Sequence, residues 1–228
     1  MASPSGSAGR AADGVDFAAV HHRLMALPDP LPSGPKELEP VAILTAGVVP
    51  KWVPGATDDP PRDAAVLVLI YPDAEGTAML VLIERPEGDL RHAGQVSFPG
   101  GAVDPGDEFP VGTALREAAE EVGLDATAAG VEVLGALDAV DVRVSGFLLV
   151  PIVAVATRAP ILHADAREVA HIMRVPVHDF VPPAAIEIIE AERDGWRLRY
   201  GAYAVGEHRI WGATGRVLGQ LGAVLAEA

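Results

Sequence analysis

Nearly continuous apolar runs alternate along this chain with runs whose apolar residues recur every three or four positions, and the two spacings predict different elements. Ala65-Val66-Leu67-Val68-Leu69-Ile70-Tyr71 and Thr77 to Arg85 are of the first kind, and Pro72-Asp73-Ala74-Glu75-Gly76 between them has turn chemistry, so the three segments predict a β-hairpin. Neither run alternates cleanly, which predicts strands covered on both faces, as in a sheet between two helical layers. Val131-Glu132-Val133-Leu134 starts another strand, and Phe147 to Val155 is a buried strand in which Pro151 demands an edge or a bulge. Trp196-Arg197-Leu198-Arg199-Tyr200 alternates and predicts a half-exposed strand, with Tyr203 to Val205 pairing near it across Gly201.

Helical spacing appears in three places. Val15 to Ala26 predicts a short helix burying Phe17, Val20, Leu24 and Met25, stopped by prolines at 28, 30, 32 and 35. Thr113 to Leu124 predicts a second helix. From Thr214 onward Val217, Leu218, Leu221, Val224 and Leu225 predict a last helix that closes the core. Ala166 to Val175 reads as a connection, and Val177 to Ala191 as a helix or helical turns interrupted by Pro182-Pro183. The pattern predicts an α/β/α sandwich. Residues 1–14 are small and polar and predict a disordered tail, 15–62 an N-terminal helix with a proline-rich extension, and 63–228 the main domain.

Composition narrows the function. The 228 residues carry a formal net charge of -15 and no cysteine. An acidic chain without a basic patch argues against nucleic acid and anionic membranes, and the absence of cysteine excludes disulfides and thiol nucleophiles. The longest apolar run, Gly146 to Ala156, is too short to span a bilayer, and the first seven residues lack an apolar signal core. The expectation is a soluble, cytoplasmic protein acting on a small molecule and compatible with a homodimer.

The candidate chemistry lies in the second helix. Glu117, Glu120 and Glu121 stand at i, i+3 and i+4 and share a face, while Ala114, Leu115, Ala118 and Val122 are placed to pack on the other. Like charges at that spacing destabilise a helix by roughly 0.2 to 0.5 kcal/mol per pair, and a hard divalent cation is the usual compensator. Arg116 compensates in part. The glycine turn Phe98-Pro99-Gly100-Gly101 lies just upstream, where glycine lets backbone approach an ion closely. A solvated acidic face is the bland alternative, but such faces normally interleave lysine or arginine.

The segment from Gly101 to Leu124 resembles the Nudix box: a glycine, five residues, a glutamate, seven residues, then Arg-Glu, an aliphatic, any residue, Glu-Glu, any residue, Gly and an aliphatic. Arg116-Glu117-Ala118-Ala119-Glu120-Glu121-Val122-Gly123-Leu124 matches the second half. The first half is one residue longer, because Asp107 lies at the glutamate's distance from Gly101 and Glu108 at its distance from Arg116. Asp104-Pro105-Gly106-Asp107 is similar to the Asp-Pro-x-Asp of the coenzyme A pyrophosphatases within that family. Arg91-His92-Ala93-Gly94-Gln95-Val96-Ser97-Phe98-Pro99-Gly100-Gly101 and Ile210-Trp211-Gly212-Ala213-Thr214 resemble the same branch. That branch's signature also has an arginine followed by a small residue, and then a second arginine. Arg85 matches the first, Pro86 replaces the small residue, Leu90 stands in the second arginine's place, and Arg91 follows one position on.

What the resemblance implies is a Nudix-like α/β/α sandwich with a mixed β-sheet and a catalytic loop-helix-loop. It implies a pyrophosphatase using Mg²⁺ or Mn²⁺, held by Glu117, Glu120, Glu121 and the backbone of Gly101. Arg116 would orient the glutamates, and Glu168, which reads equally as a surface charge, would complete the site from a late loop. Arg85 and Arg91 would contact the phosphates of coenzyme A, and His92 reads either as a phosphate donor or as structural. Asp107 and Glu108 stay ambiguous. The implied reaction is hydrolysis of coenzyme A or acyl-CoA to 3',5'-ADP and (acyl-)4'-phosphopantetheine. The alternatives are a Nudix pyrophosphatase for ADP-ribose, NADH or a nucleotide sugar, and a catalytically silent domain that binds a nucleotide.

Overall fold

The structure is a computed structural model that describes residues 15–44, 60–86, 94–143, 145–193 and 196–226. The expected tail at 1–14, most of the loop from Pro54 onward, and the candidates Arg91 and His92 lie outside the described residues. In chain order, α1 (Phe17–Leu24) and a 3₁₀ turn (Lys36–Leu38) precede β1 (Val41–Leu44), β2 (Arg62–Pro72), β3 (Ala78–Glu84), β4 (Val96–Ser97) and β5 (Gly100–Ala102). Then come α2 (Val111–Val122), α3 (Ala126–Ala129), β6 (Val131–Ala136), β7 (Val140–Val142), β8 (Phe147–Ala156) and β9 (His171–Pro176). After a second 3₁₀ turn (Val177–Phe180) follow β10 (Glu187–Arg193), β11 (Trp196–Val205), β12 (His208–Ile210) and α4 (Gly212–Ala226).

The fold is the expected α/β/α sandwich. β2 is the central strand of a mixed sheet, running parallel to β8 from Arg62↔Phe147 to Ile70↔Val155 and antiparallel to β3 at the hairpin, where Ile70 faces Leu80. Its alternate residues feed two cores. Val66, Val68 and Ile70 pack on the side of α1 and α4, and Ala65, Leu67 and Leu69 on the side of α2. This two-sided burial is why the run shows no alternation in sequence.

Beyond the hairpin β2 and β3 diverge, and the segment Val96–Ala102 fills the opening. β4 pairs with β3 through Ile83↔Ser97, β5 pairs with β2 through Ala65↔Gly101, and the Leu67 N–H donates to the Pro99 carbonyl at 2.8 Å. The glycine turn is thereby pinned between the two central strands. β8 meets the Pro151 expectation by a different route, since it is paired on both sides. Its second partner switches there from β6 to β7, and the Leu137 N–H donates to the Pro151 carbonyl, so the missing proline donor falls opposite the interruption.

Several sequence expectations need correction. Met25 is exposed, because α1 ends at Leu24 and only Val20 and Leu24 are buried within it. Residues 171–176 form β9, an edge strand on β3 with Met173 and Val175 inward, rather than a connection. The expected helix over Val177 to Ala191 is a short 3₁₀ turn followed by β10, a hairpin partner of β11 from Glu187↔Ala202 to Arg193↔Trp196. Tyr203 to Val205 continue the same strand as Trp196 and pair with β12, not across Gly201. β1 joins the other edge of β11 through Val41↔Arg199, giving a second, four-stranded sheet. α4 closes the core as expected, with Val217, Leu218, Leu221 and Val224 buried. Leu24 and Leu38 of the extension join that core, and Arg23 Nε donates to the Val224 carbonyl at 2.8 Å.

Candidate active site

α2 delivers the acidic cluster to the glycine turn. Ala114, Ala118 and Val122 dock the helix on the sheet, while Leu115 is only partly buried, and Gly123 ends the helix in the left-handed region with φ +63°. The three glutamates do not share one environment. Glu120 is 58% exposed, Glu117 14% and Glu121 1%, so the acidic face is graded from solvent into protein. Glu121 reaches the turn itself, where its Oε2 accepts the Gly100 N–H at 2.8 Å. Glu117 lies over Gly101, and a Cβ on that glycine would fall 2.5 Å from both Cδ and Oε1 of the glutamate.

Arg116 organises the outer half. Its Nε donates to Asp107 Oδ1 at 3.0 Å, Nη2 to Asp107 Oδ2 at 3.0 Å and to the Ala102 carbonyl at 3.1 Å, and Nη1 to Glu120 Oε2 at 2.9 Å. Nη2 also lies 3.0 Å from Glu117 Oε1. Asp107 accepts in addition from Thr113 Oγ1 at 2.9 Å and the Asp104 N–H at 3.0 Å, and Arg116 first, then the Asp104 N–H and Thr113, hold its carboxyl well below the usual carboxylate range. Asp107 is thus the arginine's anchor, and Glu108 is exposed to solvent.

Glu168 arrives on a loop stitched to the end of α2. The His163 N–H donates to the Val122 carbonyl and the Asp165 N–H to the Glu121 carbonyl, both at 2.9 Å, satisfying acceptors that a helix end leaves open. The Glu168 N–H donates to the Asp165 carbonyl at 2.9 Å, and the Ala170 N–H to the Glu84 carbonyl at 2.8 Å. Glu168 itself is exposed, yet its charge is felt at both Glu117 and Glu121. Arg85 meets the cluster from the end of β3, with Nη2 3.4 Å from Glu121 Oε1. The sequence suggested Arg85 as a phosphate contact and contained no signal that it would stand beside Glu121.

Burial is the main cause of the carboxyl shifts here. It pushes Glu121 up to about 7, against the pull of the Gly100 N–H and Arg85, and Glu117 and Glu168 add to the rise. Glu117 rises for the same reason, opposed by Arg116 and aided by the charges of Glu120 and Glu168. Carboxyls displaced upward beside one another are a frequent mark of a functional site.

The sequence matches the NUDIX domain over residues 61–194. It is 37% identical over 169 residues to the uncharacterized Nudix hydrolase NudL of Photorhabdus laumondii, covering 74% of this chain and 87% of that protein. It is 36% identical over 168 residues to NudL of Yersinia enterocolitica, with 74% of this chain and 84% of that protein covered. A crystal structure of a Nudix hydrolase from M. smegmatis, RenU, aligns with 53% of this chain and 74% of its own at 25% identity and a TM-score of 0.45. The chain belongs to the Nudix family. It is an enzyme of the Nudix pyrophosphatase type.

Nudix hydrolases generally use divalent cations, so the fit of the residues to such an ion matters. Among the described residues no group of three His, Cys, Asp or Glu side chains is gathered closely enough to hold one. The Glu117 and Glu121 carboxylates do converge on one glycine turn, the donors are all oxygen, and the absent Cβ at Gly101 leaves the Glu117 carboxylate its place. That donor set fits a hard divalent ion completed by backbone carbonyl, water and substrate oxygens. Among the described residues no helix is long and apolar enough to cross a membrane.

Proposed function

We propose that this Nudix hydrolase cleaves the diphosphate of coenzyme A or an acyl-CoA, giving 3',5'-ADP and (acyl-)4'-phosphopantetheine. One observation carries the substrate class: the stretch from Arg85 to Gly101, whose sequence resembles that of coenzyme A pyrophosphatases, leads directly into the glycine turn that faces Glu117 and Glu121. Mg²⁺ or Mn²⁺, when bound, supplies charge neutralisation at the phosphoryl oxygens and acidifies water. Glu117, Glu121 and the Gly101 backbone hold the ion, with Glu120 at the solvent side. Arg116, fixed by Asp107, sets the positions of Glu117 and Glu120. Glu168 brings a carboxylate from the loop before β9 and accepts a proton from the attacking water. Arg85 and Arg91 bind the phosphates of an anionic substrate that the chain's charge of -15 would otherwise repel, and His92 donates to the same groups.

A substrate panel with product identification tests this. Coenzyme A should exceed dephospho-coenzyme A by about one to two orders of magnitude in kcat/KM, the value of one charged hydrogen bond to the 3'-phosphate. Arg91→Ala should lower turnover of the first substrate much more than of the second. Preference for ADP-ribose, NADH or a nucleotide sugar would overturn the coenzyme assignment and leave the pyrophosphatase chemistry standing. Absence of hydrolysis across the panel with Mg²⁺ and Mn²⁺ would favour a nucleotide-binding domain instead.

A further inference from the structure

We infer that Arg85 is an internal counter-ion that occupies the cation's side of Glu121 until the divalent ion arrives, and is then released to the substrate diphosphate. The inference rests on the metal site proposed above and goes beyond it by coupling two binding events through one side chain. Glu121 is 1% exposed, so an ionised carboxylate there needs a compensating charge. Its Oε2 is taken by the Gly100 N–H, and the Arg85 guanidinium stands 3.4 Å from the remaining Oε1. Among the described residues Glu121 is the one carboxylate paired with Arg85.

The arginine is built to make such an exchange. Its backbone is fixed, with the Arg85 N–H donating to the Gln95 carbonyl at 3.0 Å and its own carbonyl accepting the Gly94 N–H at 3.1 Å. Its side chain is 36% exposed, leaving it room to turn. The contrast with Arg116 supports the assignment, because that guanidinium is tied to Asp107, Glu117, Glu120 and a carbonyl at once and is held in place by all four. A cation on Glu121 removes Arg85's reason to stay, since two positive charges cannot share one oxygen at low cost. A planar guanidinium freed beside the ion matches a phosphate oxygen pair. Metal and diphosphate should then assist each other's binding by the same factor in both directions.

The test reads binding rather than turnover. Mn²⁺ affinity is measured by electron paramagnetic resonance on wild type, Arg85→Gln, Arg85→Lys and Glu121→Gln, alone and with α,β-methylene-ADP as a non-hydrolysable diphosphate probe. Without the probe, Arg85→Gln should bind Mn²⁺ more tightly than wild type, by up to roughly fivefold, as expected for loss of a competing, partly exposed ion pair. Arg85→Lys, which keeps the charge, should stay nearer to wild type. The tightening of Mn²⁺ binding by the probe should be smaller in Arg85→Gln than in wild type. Equal or weaker Mn²⁺ binding by Arg85→Gln overturns the inference. If Glu121→Gln leaves Mn²⁺ affinity unchanged, the metal site itself fails, which is a separate outcome.

Discussion

Gly100 and Gly101 are neighbours, yet a methyl group added to each meets different surroundings, and the two substitutions separate fold from function. At Gly101 the new carbon would lie 2.5 Å from Cδ and Oε1 of Glu117 and 2.7 Å from Oε2. Non-bonded carbons prefer about 3.5 to 4.0 Å, so the carboxylate has to retreat by about 1 Å. It is the end of a side chain and can do so, giving up the 3.0 Å pairing with Arg116. Misplacing a catalytic group by about 1 Å costs on the order of 100-fold in rate, whereas a partly exposed ion pair costs at most about 1 kcal/mol of stability. Gly101→Ala should therefore lose about two orders of magnitude in kcat/KM with a melting temperature within roughly 2 to 4 °C of wild type. At Gly100 the added carbon meets Ala65 O at 2.4 Å and Val66 Cα at 2.6 Å, backbone of the central strand that cannot move aside, and φ there is +152°. Overpacking and strain of about 1 to 3 kcal/mol each predict a fall on the order of 10 °C for Gly100→Ala. Steady-state hydrolysis across a Mg²⁺ titration and calorimetry on both variants check this. Normal kcat/KM and metal dependence in Gly101→Ala would refute the placement of Glu117 in the site.

Two further outcomes follow from the electrostatics. Glu121, pushed up to about 7 from its ordinary 4.5, keeps its proton to a higher pH in the folded state than in the unfolded chain. Stability from this group is therefore present below about pH 4.5 and lost as pH rises through about 7, by an amount on the order of 3 kcal/mol without metal. Melting of the chelated protein between pH 5 and 8 should show this slope in wild type and not in Glu121→Gln; identical slopes would sink it. Asp107→Asn, which removes the anionic anchor of Arg116, should raise the metal requirement and lower activity at least tenfold, and Glu108→Gln should change neither. Equal effects of the two in a metal titration would count against the anchor.

The parts legible in sequence were those where a residue's own chemistry decides. Leu67 to Leu69 lie in an unbroken aliphatic run that burial alone accommodates, Gly123 suits a left-handed cap, and Arg116-Glu117 with Glu120-Glu121 carries its pattern on one helix. The misread parts depend on a partner distant in sequence. Residues 171–176 become a strand because β3 has a free edge, and Glu187–Arg193 because β11 lies beside it. For the latter a local signal existed, since Asp194-Gly195 separates the two runs and that dipeptide is a strong hairpin mark. The burial gradient across the three glutamates had no local signal, since helical spacing places them on one face but says nothing of how deeply the helix is set.

The lengthened box shows how geometry decides between two acids that spacing leaves equal. Counting from Gly101 favours Asp107, and counting back from Arg116 favours Glu108. The anchoring role needs a carboxylate that receives two N–H groups along one edge of the guanidinium while being held from behind, because an anchor free to rotate would not orient the arginine. Asp107 meets both conditions, since Thr113 Oγ1 and the Asp104 N–H grip the same oxygen that Arg116 Nη2 reaches. Glu108 instead contributes its carbonyl, which accepts the Gly112 N–H at 2.6 Å and so helps start α2. The Asp104–Asp107 turn is closed by the Asp107 N–H on the Asp104 carbonyl at 3.1 Å, and between them Gly106 adopts φ +102° with open space around it. A tight turn there draws the shorter aspartate side chain to the position Arg116 requires, leaving the next residue to the backbone of the helix start.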